Sequence, residues 1–267
     1  MALRFSPGLQ NFVAQQGSWK RAFDNGVIEI YTGSQPATPD LAVTGTLLVT
    51  LTDSAGAFTP ETLGTGVLTL SGTTAGSVDT LTLLGVEIMG SVTAYNTSLT
   101  QTAADVCLKV NRNPKNCMVV ATNSGAVITL TARPGFGTLL NSAALTITST
   151  TMTSAVTSTS FASGTGGSVA GINPANGLQM DYNAAAGVLT KNTTQTWSGT
   201  AVATGTAGWF RYKGSVSDAG SLDSVAAYRR MDGNIATSGA NLNMSSTSIV
   251  SSALQTLSTF SFTVPAA

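Results

Sequence analysis

Histidine is absent from the 267 residues of this chain. That one gap excludes Ser-His-Asp and Cys-His nucleophiles, His-ligated metals and the commonest general base. Cysteine is nearly absent too: Cys107 and Cys117, with nine residues between them, do not form a CxxC redox pair or a zinc site, and are expected to pack as free thiols. Charge is scarce. Twelve basic and twelve acidic side chains cancel and make up 9% of residues, against about 25% in an ordinary soluble domain. A neutral chain exerts no long-range pull on nucleic acid or anionic membrane, so neither is expected as a partner. No stretch approaches the roughly 18 consecutive apolar residues of a membrane span. The opening MALRFSPGLQ lacks the apolar centre of a secretory signal, and the protein is expected to be made in the cytosol and to stay there at first.

What is present is β-forming. Apolar residues reach 42%, enough for a sizeable core, and Thr, Ser, Gly and Ala stand where Lys and Glu usually keep a surface wet. Low repulsion and β-branched strands suit packing against neighbouring subunits. Texture changes along the chain. Aromatic strand segments occur near both ends (VIEIY at Val27–Tyr31, AGWFRYKG at Ala207–Gly214, TFSFTVP at Thr259–Pro265), whereas aromatics almost vanish between them. The expected organisation is an outer β domain made of residues 1–65 and 164–267, interrupted by an inserted module at 66–163.

Ser6-Pro7 reads as a helix start, with Leu9, Phe12 and Val13 at helical spacing, Trp19 and Phe23 extending the apolar side, and Gly17 splitting the helix. Val27–Tyr31 and Thr46–Thr52 read as strands, the second with Leu47, Val49 and Leu51 on one face. The module reads as β-β-α-β-β. Its hairpin turns at Gly85, its helix covers Ser98–Val110 before Pro114, the strands Cys117–Thr122 and Ala126–Ala132 follow, and a further strand lies near Ala144–Thr151. Ser163–Gly171 has a linker composition. Later strands are expected at Leu178–Tyr182, Gln195–Ala203 and Trp209–Lys213, with GTAG (Gly205–Gly208) closing a hairpin. A second hairpin is expected to turn at Asp232-Gly233, and the last strand places Phe260, Phe262 and Val264 on one face. The predicted fold class is mainly β: a β-sandwich or jelly-roll-like outer domain, a short N-terminal helix and the inserted module.

The residues that could carry chemistry are few. Asp218, Asp223 and Asp232 could in principle supply a glycosidase's paired carboxylates, but their turn-rich surroundings read as solvated loop acids, and they lack the order of a calcium loop. SGTGGSVAG has no GxGxxG register, and PGFGTLL has no Lys-Ser/Thr, so no phosphate or cofactor site is expected. Lys109, Arg112 and Lys115 complement a helix C-terminus. Asn96, Asn192 and Asn243 begin chance N-x-S/T matches. Trp209-Phe210-Arg211-Tyr212 reads either as a stacking platform for sugar or bases, or as a strand with one aromatic in the core and one at a subunit contact. The candidate core or interface anchors are Phe5, Leu9, Phe12, Trp209 and Tyr212.

The segments LRFSPGLQNFVAQQGSWKRAFDNGVIEIYTGSQPATPDLAVTGTLLVTLT, TWSGTAVATGTAGWFRYKG and SGANLNMSSTSIVSSALQTLSTFSFTVP resemble structural proteins of tailed bacteriophages, across roughly residues 3–55 and 178–265. The intervening VDTLTLLGVEIMG, AADVCLKVNRNP and CMVVATNSGAVITLTARPG are similar to a small module of phage tail and other virion proteins. The resemblance implies a non-enzymatic, homo-oligomeric virion protein; with no histidine, two scattered cysteines and no phosphate loop, no cofactor or metal is expected in it. Its partners would be the major capsid protein or tail proteins. A multi-copy head decoration or cement protein is the leading expectation. A fibre, collar or baseplate subunit is the alternative, and a carbohydrate-binding or hydrolytic tail module the third.

Overall fold

The computed structural model of the protein describes residues 3–16, 18–72, 75–156, 161–166, 176–181 and 185–264. The fold is mainly β and sandwich-like, with 42% strand and 13% helix, as the short apolar segments require. Two compact units divide it, residues 1–60 with 172–267 and residues 61–171. The division falls a few residues outside the expected 65/66 and 163/164 boundaries, because the bridge from Thr62 to Thr165 belongs to the second unit.

In the first unit, strand order across the main sheet is Arg4–Phe5, Arg230–Ala236, Gly205–Lys213, Val27–Thr32, Leu47–Asp53, Trp197–Thr200 and Leu254–Leu257. Leu242–Asn243 adds to Arg230–Ala236, and Ser248–Ile249 adds to Gly205–Lys213. Strands from before and after the second unit are interleaved, one before, two after, two before and two after, so both halves of the chain build the sheet. The N-terminal helical segment is two helices, α1 at Pro7–Gln16 and α2 at Trp19–Phe23. Ser6 Oγ accepts the Leu9 N–H at 3.1 Å and Ser18 Oγ accepts that of Arg21 at 3.2 Å, so each helix starts on a hydroxyl cap. The expected break at Gly17 lies outside the described residues. Leu9, Ala22 and Phe23 then reach a core of Ile28, Ile30, Phe210, Tyr212, Trp197, Phe260 and Phe262. Phe23 packs on Tyr212 with ring centres 4.6 Å apart, and Trp197 donates its Nε1–H to Gln195 at 2.9 Å.

Two expected hairpins are absent. Gly205–Gly208 lies inside a nine-residue strand, and Asp232-Gly233 lies inside Arg230–Ala236. The glycines serve close packing instead of turning. A Cβ on Gly208 would stand 1.9 Å from the Gly33 carbonyl oxygen, where the strand bulges against Val27–Thr32, and one on Gly233 would stand 2.6 Å from the Phe210 ring. The expected strand from Leu178 is reduced to single bridges, Leu178 to Gly26 and Met180 to Lys191, and Tyr182 lies outside the described residues. Nor is Leu47–Asp53 one-faced: Leu48 is as buried as Val49 and Leu51 because both sides of this central strand are covered.

The second unit is larger than β-β-α-β-β. One sheet runs Leu145–Thr150, Ser77–Leu83, Val86–Glu87, with Thr93–Ala94 also on Ser77–Leu83; the other runs Thr153–Val156, Thr65–Ser71, Val127–Ala132, Val119–Ser124. Leu84 and Gly85, both at positive φ, make the tight turn that the sequence marked. Helix α3, Leu99–Arg112, begins on Ser98, whose Oγ accepts Gln101 N–H at 3.1 Å. It buries Ala103, Val106 and Val110 against Leu68, Leu81 and Ile128. Asn111 holds both the N–H and the C=O of Ala121 at 2.8 Å, which fastens the helix along the outer strand of that sheet. Of the predicted linker 163–171, residues 163–166 include the Thr165 bridge, and 167–171 lie outside the described residues.

Candidate functional site

The strand Gly205–Lys213 has two characters because its side chains alternate. Phe210 and Tyr212 enter the aromatic core; Trp209, Arg211 and Lys213 occupy the opposite face. Register brings other charged residues beside them. Arg211 stands between Asp232 and Glu29 on its two neighbouring strands, Lys213 stands beside Arg230, and Arg4 stands beside Asp232. The result is a buried ladder. Arg211 makes a bidentate pair with Asp232 at 2.8 and 2.7 Å, Arg230 makes another with Asp218 at 2.7 and 2.6 Å, and Lys213 meets Glu29 at 2.6 Å.

Two loops close over this ladder and are tied to it. Arg211 donates to Leu41 O at 3.1 Å, Arg230 to Pro39 O at 3.1 Å, Arg4 to Pro36 O, and Lys213 to Asp218 O at 2.9 Å. The loops also join each other, through Asp223 N–H to Asp40 O at 2.8 Å and Val43 N–H to Gly220 O at 2.9 Å. Asp223 accepts the N–H groups of Ala227 at 3.1 Å and Tyr228 at 2.8 Å. Asp218, Asp223 and Asp232 are therefore not solvated loop acids: they are enclosed and bonded, because guanidinium forks and loop amides need anionic partners out of water. Burial alone would raise the carboxyls of Asp218 and Asp223, but Arg230 with the Gly220 N–H, and the three amides of the 225–228 turn, outweigh it and hold both below the ordinary value. At Asp232 burial prevails and pushes the carboxyl up against the pull of Arg211.

The five predicted anchors are core or partly buried side chains. Leu9, Phe12, Trp209 and Tyr212 are buried, and Phe5 packs edge-on to Trp19 at 4.9 Å. Trp209 is 0% exposed and stacks on Tyr31 at 4.7 Å, so neither the sugar platform nor the subunit contact expected of this run is found there. Lys109 and Arg112, with Tyr95, Asn96 and Asp105, line an open concavity of about 790 Å³ on the second unit; Lys109 donates to Val92 O, and Lys115 lies outside the concavity. Cys107 is buried and Cys117 exposed, both as free thiols, and burial pushes Cys107 up to about 11. Among the described residues no three His, Cys, Asp or Glu side chains group as a metal site, and no helix is long and apolar enough to cross a membrane.

Composition hid the ladder. Its signal was positional: Arg211 with Lys213, and Arg230 with Asp232, are charges two apart in strands of a charge-poor chain, which places them on one face. The consequence for the surface is large. Eight of the 24 charged side chains are buried, five of them (Arg211, Lys213, Asp223, Arg230 and Asp232) in the ladder and its loops, and those loops display Leu41, Leu222 and Val225, the last 79% exposed. The chain matches no protein-family model, no curated protein and no solved structure.

Proposed function

We propose that this protein is a non-enzymatic structural component of a tailed-phage virion, a multi-copy decoration or cement protein that binds the head and stabilises it. The observation that carries the reading is the use of charge: ion pairs sit inside, locking loops whose exposed side chains are uncharged and include Leu41, Leu222 and Val225. Pre-ordered apolar loops bind a fixed lattice without ordering cost. Repetition over a symmetric shell turns modest single contacts into firm attachment. The resemblance of both outer segments to phage structural proteins supplies the particle, and the engaged state of Asp218, Asp223 and Asp232 argues against their use as acid and base. A quantified protein gel of purified virions tests the reading, together with particles made without the protein. Hundreds of copies are expected, and the deficient particles should assemble yet release DNA more readily on heating. A handful or a few dozen copies, with intact heads and defective tails, would place the protein in a fibre, collar or baseplate.

A further inference from the structure

Sheet edges are templates for pairing with another chain, and folded proteins protect them with short length, charge, bulges or a covering element. The edges of this protein differ in that respect. At one end of the main sheet stands Arg4–Phe5, two residues long and carrying a charge. In the second unit, Val119–Ser124 is clamped by the Asn111 amide, and Leu145–Thr150 carries a register shift between Thr148 and Ser149. The far end of the main sheet is also short, at four residues, but has neither a charge nor a bulge. Leu254–Leu257 pairs with Trp197–Thr200 on one side, and among the described residues no strand pairs with its other side. No charged residue occurs from Gly233 to Ala267, or from Asn192 to Phe210, so neither strand at this end has one. Beside the edge, Val202, Val250 and Leu254 are 66, 58 and 62% exposed. They cluster about one turn, where Ala201 N–H bonds Ala253 O at 3.0 Å and Ser252 N–H bonds Ala201 O at 2.8 Å.

We infer that the Leu254–Leu257 edge pairs with the same edge of a second copy, antiparallel across a two-fold axis, and that Val202, Val250 and Leu254 flank the seam. A two-fold contact sets each side chain against copies of its neighbours, so any charge there would meet its like; this edge has none to repel. Closure follows from the opposite end. The two-residue, Arg4-bearing strand is a poor acceptor for Leu254–Leu257, so copies join in pairs and do not run on as a filament. A four-residue strand and three side chains bury less than the roughly 800 Å² per partner of a standard interface, so the pair is a weak one, in the micromolar range or above. The inference does not depend on which particle the protein joins.

Sedimentation velocity of the purified full chain over a concentration series reaching about 0.5 mM, where a weak pair is populated, tests it. The mass should rise from 27.0 kDa to twice that and stop. Leu254→Lys and Thr256→Lys, both at exposed positions, should each hold the protein at monomer mass throughout, with unchanged circular dichroism and melting temperature. Amide exchange at residues 254–257 should slow with concentration in the parent and not in the variants. A parent that stays monomeric at the highest concentration, lysine variants that still dimerise, or a mass that grows past two copies would each overturn the inference.

Discussion

Ser6 shows how much one side chain can settle in this fold. Its hydroxyl accepts from Leu9 and Arg230 N–H groups and donates to Tyr228 O, so it caps α1 and stitches that helix to the strand carrying the charged ladder. Ser6→Ala is expected to leave those groups without partners and to cost about 1–3 kcal/mol in urea unfolding. Arg211 and Asp232 depend on each other more heavily. Removing either one leaves the other's buried charge without its bidentate partner, and Arg211→Met or Asp232→Leu should each destabilise the first unit by about 3–5 kcal/mol, while the double variant recovers much of that loss. Acid should act through a different pair. Asp218 and Asp223 are held below their ordinary 3.8, so the stability they contribute is complete above that value and is lost as pH falls through their lower folded values. Asp40, which burial and then the nearby Asp223 push up, has the opposite sign: protonating it relieves repulsion. Thermal melts from pH 5 downward should therefore steepen in decline below 3.8, and Asp218→Asn should flatten that limb.

At the scale of elements, those that could be read from sequence were the ones whose boundaries are set by local chemistry. Ser6-Pro7, Ser98, Pro114 and the Leu84-Gly85 turn each act within a few residues, and each is found where the pattern puts it. The misread glycines, Gly208 and Gly233, answer to atoms far along the chain, Gly33 O and the Phe210 ring, which no local pattern contains. The charged face was hidden for the same reason: Asp218 belongs with Arg230, and Pro39 with Arg230, only after the sheet has assembled. Gly233→Ala should consequently behave as overpacking in a core, costing about 1–3 kcal/mol, even though a hairpin turn would have tolerated it differently. The interleaving of early and late strands in the main sheet carries a related expectation. Replacing residues 61–171 by a short Gly/Ser linker should leave the first unit folded, because each of its strand pairs lies within 1–60 and 172–267 and loop length adds little entropy cost. Circular dichroism and a cooperative melt of that deletion variant check it; loss of the melt would show that the second unit supports the first.

For the whole molecule, the decisive property is where charge is missing. With 12 positive and 12 negative side chains and eight of them enclosed, the surface has little with which to attract or repel at a distance. Long-range electrostatics are screened within about 8 Å at physiological ionic strength, and exposed ion pairs contribute about 0–1 kcal/mol, so a partner held by charge would be released by salt. Apolar loop contacts respond the other way, since salts that are excluded from protein surfaces strengthen burial. If the protein is mounted on a virion as proposed, its attachment is expected to survive washing at about 1 M sodium chloride and to tighten in sulfate. Leu222→Asp and Val225→Asp, at positions 60 and 79% exposed, should leave the fold intact and remove the protein from purified particles. The ladder beneath those loops gives a control that separates contact from support. Asp218→Asn should weaken attachment through loosened loops, and its effect should grow with temperature, whereas the Leu222 and Val225 variants should detach equally at all temperatures at which the particle is stable. Release by salt alone, with the Leu222 and Val225 variants still bound, would show that some other, charged surface holds the protein in place.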